Sequence, residues 1–159
     1  MAKEIERRFL VDQVPASVEK EITPLYIRQG YITTDPSGQQ VRVRSKGDKY
    51  YLTVKGKGKL EREETEIELL PEQFDTLWSL TEGRRVQKRR YEIPYQTHII
   101  ELDIFEGKLD GLQVAEVEFS SVAESTKLVL PDWFEVEVTE DTRYANSQLA
   151  RSQSIPERI

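Results

Sequence analysis

The 159-residue sequence contains no cysteine, and it has a single histidine and a single methionine. Without cysteine the chain has no disulfides, no thiolate metal ligands and no cysteine nucleophile, and this composition suits a reducing compartment. The sequence also lacks a run of about 18 apolar residues, the length that a membrane-spanning helix needs. Its beginning has no apolar segment typical of a secretory signal. We therefore expect a cytoplasmic protein that does not bind a membrane.

An excess of positive charge is lacking as well. The chain has 29 acidic and 23 basic residues and a net charge of −6. A protein of this charge does not attract nucleic acid broadly, so any anion must be bound by local groups. The length and the 37% hydrophobic content predict one domain over residues 1–159 with a single fold. Residues 151–159 are typical of a frayed tail.

Alternation of polar and apolar residues predicts eight β-strands. The predicted strands are 3–11, 25–33, 40–45, 50–55, 62–69, 85–93, 98–105 and 113–119. Helical periodicity is confined to 71–80, about 120–128 and a segment after Thr139. The pattern predicts an α+β, mainly β fold with a few peripheral helices. Eight antiparallel strands in one small domain imply a closed barrel or a strongly curled sheet, because open sheet edges would otherwise be exposed.

Seven predicted strands carry charged residues on one side, because residues two apart in a strand share a face. On any one strand such a face usually points to water. The repetition favours another interpretation, since like charges on one face repel and require a partner of opposite sign. The acidic residues are Glu4, Glu6, Glu64, Glu66, Glu101, Asp103, Glu116 and Glu118, and the basic residues are Arg8, Arg42, Arg44, Lys55, Lys88 and Arg90.

If these faces converge inside a barrel, its interior holds eight acids and six bases. Desolvated charges must be paired or neutralised. A compact polyanion would pair with the basic strands, and divalent cations would pair with the carboxylates, which are suitable ligands for Mg²⁺ or Mn²⁺. A triphosphate of charge roughly −4 to −5 would then require about two divalent cations for the site to approach neutrality.

With these residues at this spacing, the sequence resembles the CYTH superfamily, the triphosphate tunnel metalloenzymes. It is similar to the short bacterial members that hydrolyse inorganic triphosphate. The similar stretches are EIERRFLV, RQGYITT, VRVR, LTVKG, EGRRVQKRRYEI, ELDIFEG, EVEF and VTEDTRY. The resemblance implies a barrel whose bore is lined by the charged side chains. The first acidic pair belongs to an ExExK signature, in which Arg8 stands in place of the usual lysine.

The resemblance also implies residue roles. For catalysis it indicates Glu4, Glu6 and Lys88. Metal binding would fall to Glu4, Glu6, Glu64, Glu66, Glu116 and Glu118, with Mg²⁺ or Mn²⁺ as the cofactor. Substrate binding would fall to Arg8, Arg42, Arg44, Lys55, Lys88, Arg90 and Arg143. Supporting positions are Glu101, Asp103 and Asp141.

The function that the resemblance implies is metal-dependent hydrolysis of inorganic triphosphate (tripolyphosphate) to pyrophosphate and phosphate, by a phosphoric anhydride hydrolase. Two enzymatic alternatives remain open, a nucleoside or thiamine triphosphatase and a class IV adenylate cyclase. An alternative of another class is a non-catalytic polyphosphate-binding module, against which the full acidic set argues. The expected partner is a triphosphate-bearing small molecule rather than nucleic acid. The oligomeric state stays open between a monomer and a homodimer.

Overall fold

The fold is built around one eight-stranded antiparallel sheet. The computed structural model describes residues 5–34, 39–57 and 63–158. In chain order β1 to β8, the strands are Ile5–Leu10, Leu25–Thr34, Gln40–Lys46, Lys49–Lys55, Glu64–Leu69, Arg85–Tyr95, His98–Phe105 and Gln113–Phe119. All eight predicted strands are present, and the mainly β architecture is confirmed.

The strand order across the sheet is β1-β8-β7-β6-β2-β3-β4-β5, with β1 and β5 at the two edges. Within the described residues no pairing joins these two edges, so the predicted closure of the barrel is not confirmed. The outer edge of β1 is instead paired with residues 135–138. Leu10 N donates to Val136 O at 2.9 Å, and Val138 N donates to Arg8 O at 2.8 Å. This segment thus occupies backbone groups of Arg8 and Leu10 that a closed barrel would use for pairing with β5.

The helices are short and lie outside the sheet order. They are α1 (Ala16–Glu21), α2 (Pro71–Trp78), α3 (Val122–Lys127) and α4 (Asn146–Leu149). Those corresponding to α2, α3 and α4 were predicted, whereas α1 was not. The periodicity did not reveal α1 because it buries only Val18 and has no apolar stripe. In the described part of the chain, no helix has the length and apolar character needed to cross a membrane.

The outer face of the sheet is apolar and is covered by helices. Val18 of α1 belongs to a buried cluster with residues of β6, β7 and β8, including Tyr91, Leu102 and Val117. At the other end of the sheet, Phe74 of α2 packs with Val43 and Leu69. Burial of this face leaves the opposite face of every strand available for polar side chains.

The opposite face is apolar at one end. Residues 142–150 cover this end through Tyr144, Leu149 and Ala150, which pack on strand residues. We call this group the C-terminal cluster; its strand residues are Leu10, Tyr31, Val86, Phe105 and Val114. On each of these strands, the residue two positions away, toward the middle of the sheet face, is polar or charged. These residues are Arg8, Gln29, Lys88, Asp103 and Glu116. The cluster therefore closes one end of a polar surface.

The C-terminal tail contacts the domain over its described residues 151–158. Arg143 Nη1 donates to Glu157 O at 2.8 Å, and Arg158 forms an ion pair with Asp12. Ile155 lies beside Gly111. These contacts join the described part of the segment to the domain. The fraying of residues 151–159 expected from the sequence stays a prediction.

Candidate active site

The paired-charge positions share one face of the sheet. In antiparallel strands, directly opposite residues point to the same side. Arg8 lies opposite Glu116, Glu116 opposite Glu101, and Arg90 opposite Asp103. The register continues through Leu25 and Ile27 of β2 to β3, β4 and β5. We call this surface the charged face; it carries Glu6, Arg8, Arg42, Arg44, Lys55, Glu64, Glu66, Lys88, Arg90, Glu101, Asp103, Glu116 and Glu118. Glu4 lies outside the described residues.

A buried ion-pair network lies where the charged face meets the C-terminal cluster. Asp103 accepts from Arg90 through two parallel bonds, Nε to Oδ1 at 2.7 Å and Nη2 to Oδ2 at 2.9 Å. Lys88 Nζ lies 2.8 Å from Asp103 Oδ2 and donates to Asn146 Oδ1 at 3.0 Å. Lys88 and Asp103 are each only 1% exposed. One carboxylate thus serves two buried cations, and the bidentate geometry fixes Arg90.

The pKa values in this network reflect competition between burial and charge. Burial alone would raise the pKa of Asp103, but the charges and hydrogen bonds of Lys88 and Arg90 lower it to about 2. Burial lowers the pKa of Lys88 despite the opposing effect of Asp103. Burial would also lower the pKa of Arg90, yet Asp103 and Glu101 raise it. Asp103 is therefore an anion throughout the physiological range.

Positive charge accumulates on the neighbouring strand β3. Arg44 is mostly buried, and its burial together with the charges of Arg42 and Arg90 lowers the pKa of its guanidinium. Among the described residues, the Nε atoms of Arg42 and Arg44 are the buried side-chain nitrogens that have no hydrogen-bond partner. A buried donor without a partner is costly, and more so when it is charged. An anion on this surface would supply the acceptors that these two N–H groups lack.

The bases of β3 and β4 have weaker contacts with β5. Arg44 Nη2 lies 3.8 Å from Glu66 Oε2, and Lys55 Nζ lies 3.9 Å from Glu64 Oε2. Thr53 donates to Glu66 at 3.1 Å. The two glutamates are exposed, so solvent screens both ion pairs. These two ion pairs are therefore weaker than the buried pairs around Asp103.

Acidic side chains lie together on β1 and β8. Glu6 is directly opposite Glu118, and Glu116 lies two residues further along β8. Arg8 contacts two of these carboxylates, with Nε 3.2 Å from Glu116 Oε1 and Nη2 3.3 Å from Glu6 Oε1. Like charges directly opposite one another are destabilising without a cation. We call Glu6, Glu116 and Glu118 the acidic edge. Within the described ranges, no three acidic or histidine side chains are gathered closely enough to hold a metal ion.

Two predicted positions lie away from the charged contacts, and one polar residue was not predicted. Arg143 forms a bidentate ion pair with Asp141 at 2.7 Å and binds the carbonyl of Glu157. Neither residue has a described contact with the charged face, so their expected roles stay predictions. Asn146, by contrast, touches Lys88 directly. Its position at the start of a four-residue helix carries no charge pattern that could have revealed it.

The structure and its charged face define a class of protein. It has a single antiparallel sheet with one apolar, helix-covered face and one face that pairs acidic and basic strands beside two arginine Nε groups without a described partner. The CYTH domain model matches residues 2–152. The chain therefore belongs to the CYTH family.

Relatives of named activity match almost the whole chain. An inorganic triphosphatase of Nitrosomonas europaea is 44% identical over 151 residues, which are 94% of this chain and 97% of the relative. An inorganic triphosphatase of Acetivibrio thermocellus is 40% identical over 155 residues, or 96% of each chain. A crystal structure of an inorganic triphosphatase has a TM-score of 0.74 at 42% identity and covers 99% of both chains. Both sequence and fold are thus similar to triphosphatases over their full length.

Proposed function

We propose that this protein hydrolyses inorganic triphosphate to pyrophosphate and phosphate on its charged face. The observation that carries the proposal is the pair of buried Nε donors on Arg42 and Arg44, which have no partner in the described chain. A triphosphate supplies acceptor oxygens and negative charge at that position. The full-length similarity to two inorganic triphosphatases supports this choice of substrate.

The basic residues would bind and orient the phosphate chain. Arg42, Arg44 and Arg90 form a cationic group in which each guanidinium can donate several hydrogen bonds to phosphate oxygens. Lys55 extends this group to β4, and Arg8 was predicted to contribute from β1. Arg90 is already fixed by Asp103, so its remaining contacts are preorganised. Lys88 is fully buried against Asp103 and Asn146, which supports a positioning role beside the catalytic role first predicted.

The acidic edge has the chemistry of a site for Mg²⁺ or Mn²⁺. Glu6, Glu116 and Glu118 are carboxylates on neighbouring strands, and Glu6 and Glu118 lie directly opposite one another. Hard oxygen ligands of this type suit both ions. With Glu4, Glu64 and Glu66, they would hold divalent cations that neutralise phosphate charge and lower the pKa of water. Glu101 and Asp103 would support the site by fixing Arg90.

The reaction is an in-line displacement at a terminal phosphorus. A water oxygen forms a bond to that phosphorus while the bridging P–O bond breaks, and the electron pair stays on the pyrophosphate. The proton of the water passes to solvent. The role of the protein is to hold the terminal phosphate in line with the water while the arginines stabilise the charge on the oxygens. A cytoplasmic location, supported by the cysteine-free composition, completes the proposal.

A substrate panel tests the proposal. Phosphate release would be measured from tripolyphosphate, ATP and thiamine triphosphate with Mg²⁺ and with Mn²⁺, and cyclic AMP would be assayed in parallel. We expect the highest kcat/KM with tripolyphosphate and no activity in EDTA. Preference for ATP or thiamine triphosphate, or cyclic AMP as the main product, would contradict the substrate assignment. Tight tripolyphosphate binding in calorimetry without turnover would indicate a binding module instead.

A further inference from the structure

We propose that Arg8 is the resident counter-ion of the acidic edge and thereby sets the metal affinity of the substrate-free protein. The proposal rests on the metal-dependent function proposed above, and it concerns the binding of the divalent cation before hydrolysis. Arg8 bridges Glu116 at 3.2 Å and Glu6 at 3.3 Å through two different nitrogens. A divalent cation and Arg8 therefore compete for the same carboxylates.

The surroundings make this competition strong. The side chains of Arg8 and Glu116 are 12% and 11% exposed, so their attraction is poorly screened by solvent. Arg8 is also fixed at its backbone, where its N–H donates to Thr139 Oγ1 at 3.0 Å and its carbonyl accepts from Val138 N at 2.8 Å. Arg8 is consequently held at the acidic edge at two places, through its backbone and through the ion pairs of its guanidinium.

The neighbouring residue Arg7 shows what distinguishes Arg8. Arg7 lies on the opposite face of β1, where it forms a bidentate ion pair with Glu137 and donates to Ser125 O. Both arginines are thus paired with carboxylates, but only Arg8 is paired with carboxylates that are predicted metal ligands. The planar fork of an arginine can contact two separate carboxylates at once, whereas a lysine has one ammonium for both.

The proposal predicts that metal binding tightens when Arg8 is neutralised. Mn²⁺ binding to the substrate-free full-length protein would be measured by calorimetry for wild type, Arg8→Gln, Arg8→Lys and Arg44→Gln. We expect the Kd for Mn²⁺ to fall about tenfold in Arg8→Gln and by a smaller factor in Arg8→Lys. Arg44→Gln removes the same charge from the same face, and its contact with the predicted metal ligand Glu66 is long, at 3.8 Å, and screened by solvent. Its Kd should therefore change less than about threefold.

The outcomes separate the inference from the proposed function. An unchanged Kd in Arg8→Gln, or an equal change in Arg44→Gln, would overturn the counter-ion role, since only the overall charge would then matter. Circular dichroism would verify that Arg8→Gln is folded. If Arg8→Gln does not fold, Arg8→Lys takes its place, and an unchanged Kd in Arg8→Lys would then overturn the inference. Tripolyphosphate hydrolysis by the same wild-type sample tests the proposed function separately. Hydrolysis with an unchanged Kd in the variants refutes only the role of Arg8.

Discussion

Asp103 balances the charge of two buried cations, Lys88 and Arg90. Replacing it with asparagine keeps its shape but takes from Lys88 the carboxylate that it contacts and leaves Arg90 paired with Glu101. Removing one partner of a buried ion pair typically costs about 3–5 kcal/mol. We therefore expect Asp103→Asn to lower the free energy of unfolding by that amount. Urea unfolding at neutral pH would measure the loss. Glu101→Gln removes the more exposed partner of Arg90 and should cost about 1 kcal/mol or less.

The same residue predicts a pH dependence. The pKa of Asp103 is about 2 in the folded protein, below its ordinary value of 3.8. A carboxyl whose pKa is lowered by folding stabilises the protein above its unfolded pKa, and this stabilisation is lost as the pH falls toward the folded pKa. The difference in unfolding free energy between wild type and Asp103→Asn should therefore shrink between about pH 4 and pH 2. A difference that stays constant over that range would show that the cost of the substitution is not electrostatic.

A substitution of Glu118 that removes one negative charge tests whether the acidic edge binds metal. Glu118→Gln keeps the size of the side chain but weakens a predicted metal ligand, so we expect kcat for tripolyphosphate to fall roughly 100-fold, with a higher Mg²⁺ requirement. Steady-state kinetics at increasing Mg²⁺ would measure both effects. Glu68→Gln is the matched control because Glu68 lies on the same face at the far end of β5, near Lys49. Its kcat should stay within about twofold of wild type, and equal losses in both variants would exclude a specific role for Glu118.

At the scale of elements, β5 depends on α2 for its place in the fold. The strand is exposed along its length except for Leu69, which packs with Val43 and Phe74. Phe74 is fully buried against Tyr50 and Trp78. We expect Phe74→Ala to cost about 3–5 kcal/mol and to raise KM for tripolyphosphate, because α2 supports the strands that carry Arg44 and Lys55. Leu80→Ala, at an exposed position beside this helix, should change stability by less than about 1 kcal/mol and leave KM unaltered.

The elements were predictable from the sequence where each strand has one charged and one apolar face. Polar and apolar alternation located all eight strands, and in the seven strands with charged pairs it placed those positions on one face, because the period of two is a local property. Closure was not predictable, since it depends on which segment pairs with the edge of β1. Residues 135–138 also alternate, as Glu135, Val136, Glu137 and Val138, and this short pattern is the local signal for the segment that pairs with β1. Asn146 reaches Lys88 only through tertiary packing, so no local pattern could identify it.

For the whole molecule, the charge distribution matters more than the net charge. The chain carries −6 overall, while Arg42, Arg44 and Arg90 lie together on the charged face beside a closed apolar end. Long-range attraction for polyanions is therefore weak, and we expect the affinity to come from direct contacts with the arginines. A short, highly charged phosphate chain can make these contacts, whereas the phosphates of a duplex are spread along a rigid surface.

This charge distribution predicts selective stabilisation by tripolyphosphate. Ca²⁺ has longer bonds and looser geometry than Mg²⁺, so we expect it to support binding with little turnover. At about 100 times its Kd, a ligand stabilises the folded state by about 2.7 kcal/mol, which corresponds to a rise in Tm of roughly 5–10 °C for a chain of this size. Scanning calorimetry with Ca²⁺ and tripolyphosphate should show this rise for wild type, with phosphate release measured after the scan.

Two controls decide whether the arginines account for the shift. Arg44→Gln removes one of the buried guanidinium groups that lack a partner for Nε, so its Tm should rise much less with tripolyphosphate under the same conditions. Duplex DNA at an equal phosphate concentration should leave the wild-type Tm unchanged, because the protein surface as a whole is acidic. An equal rise with DNA would mean that the cations act as an open electrostatic patch. The same rise in Arg44→Gln as in wild type would place the triphosphate away from β3.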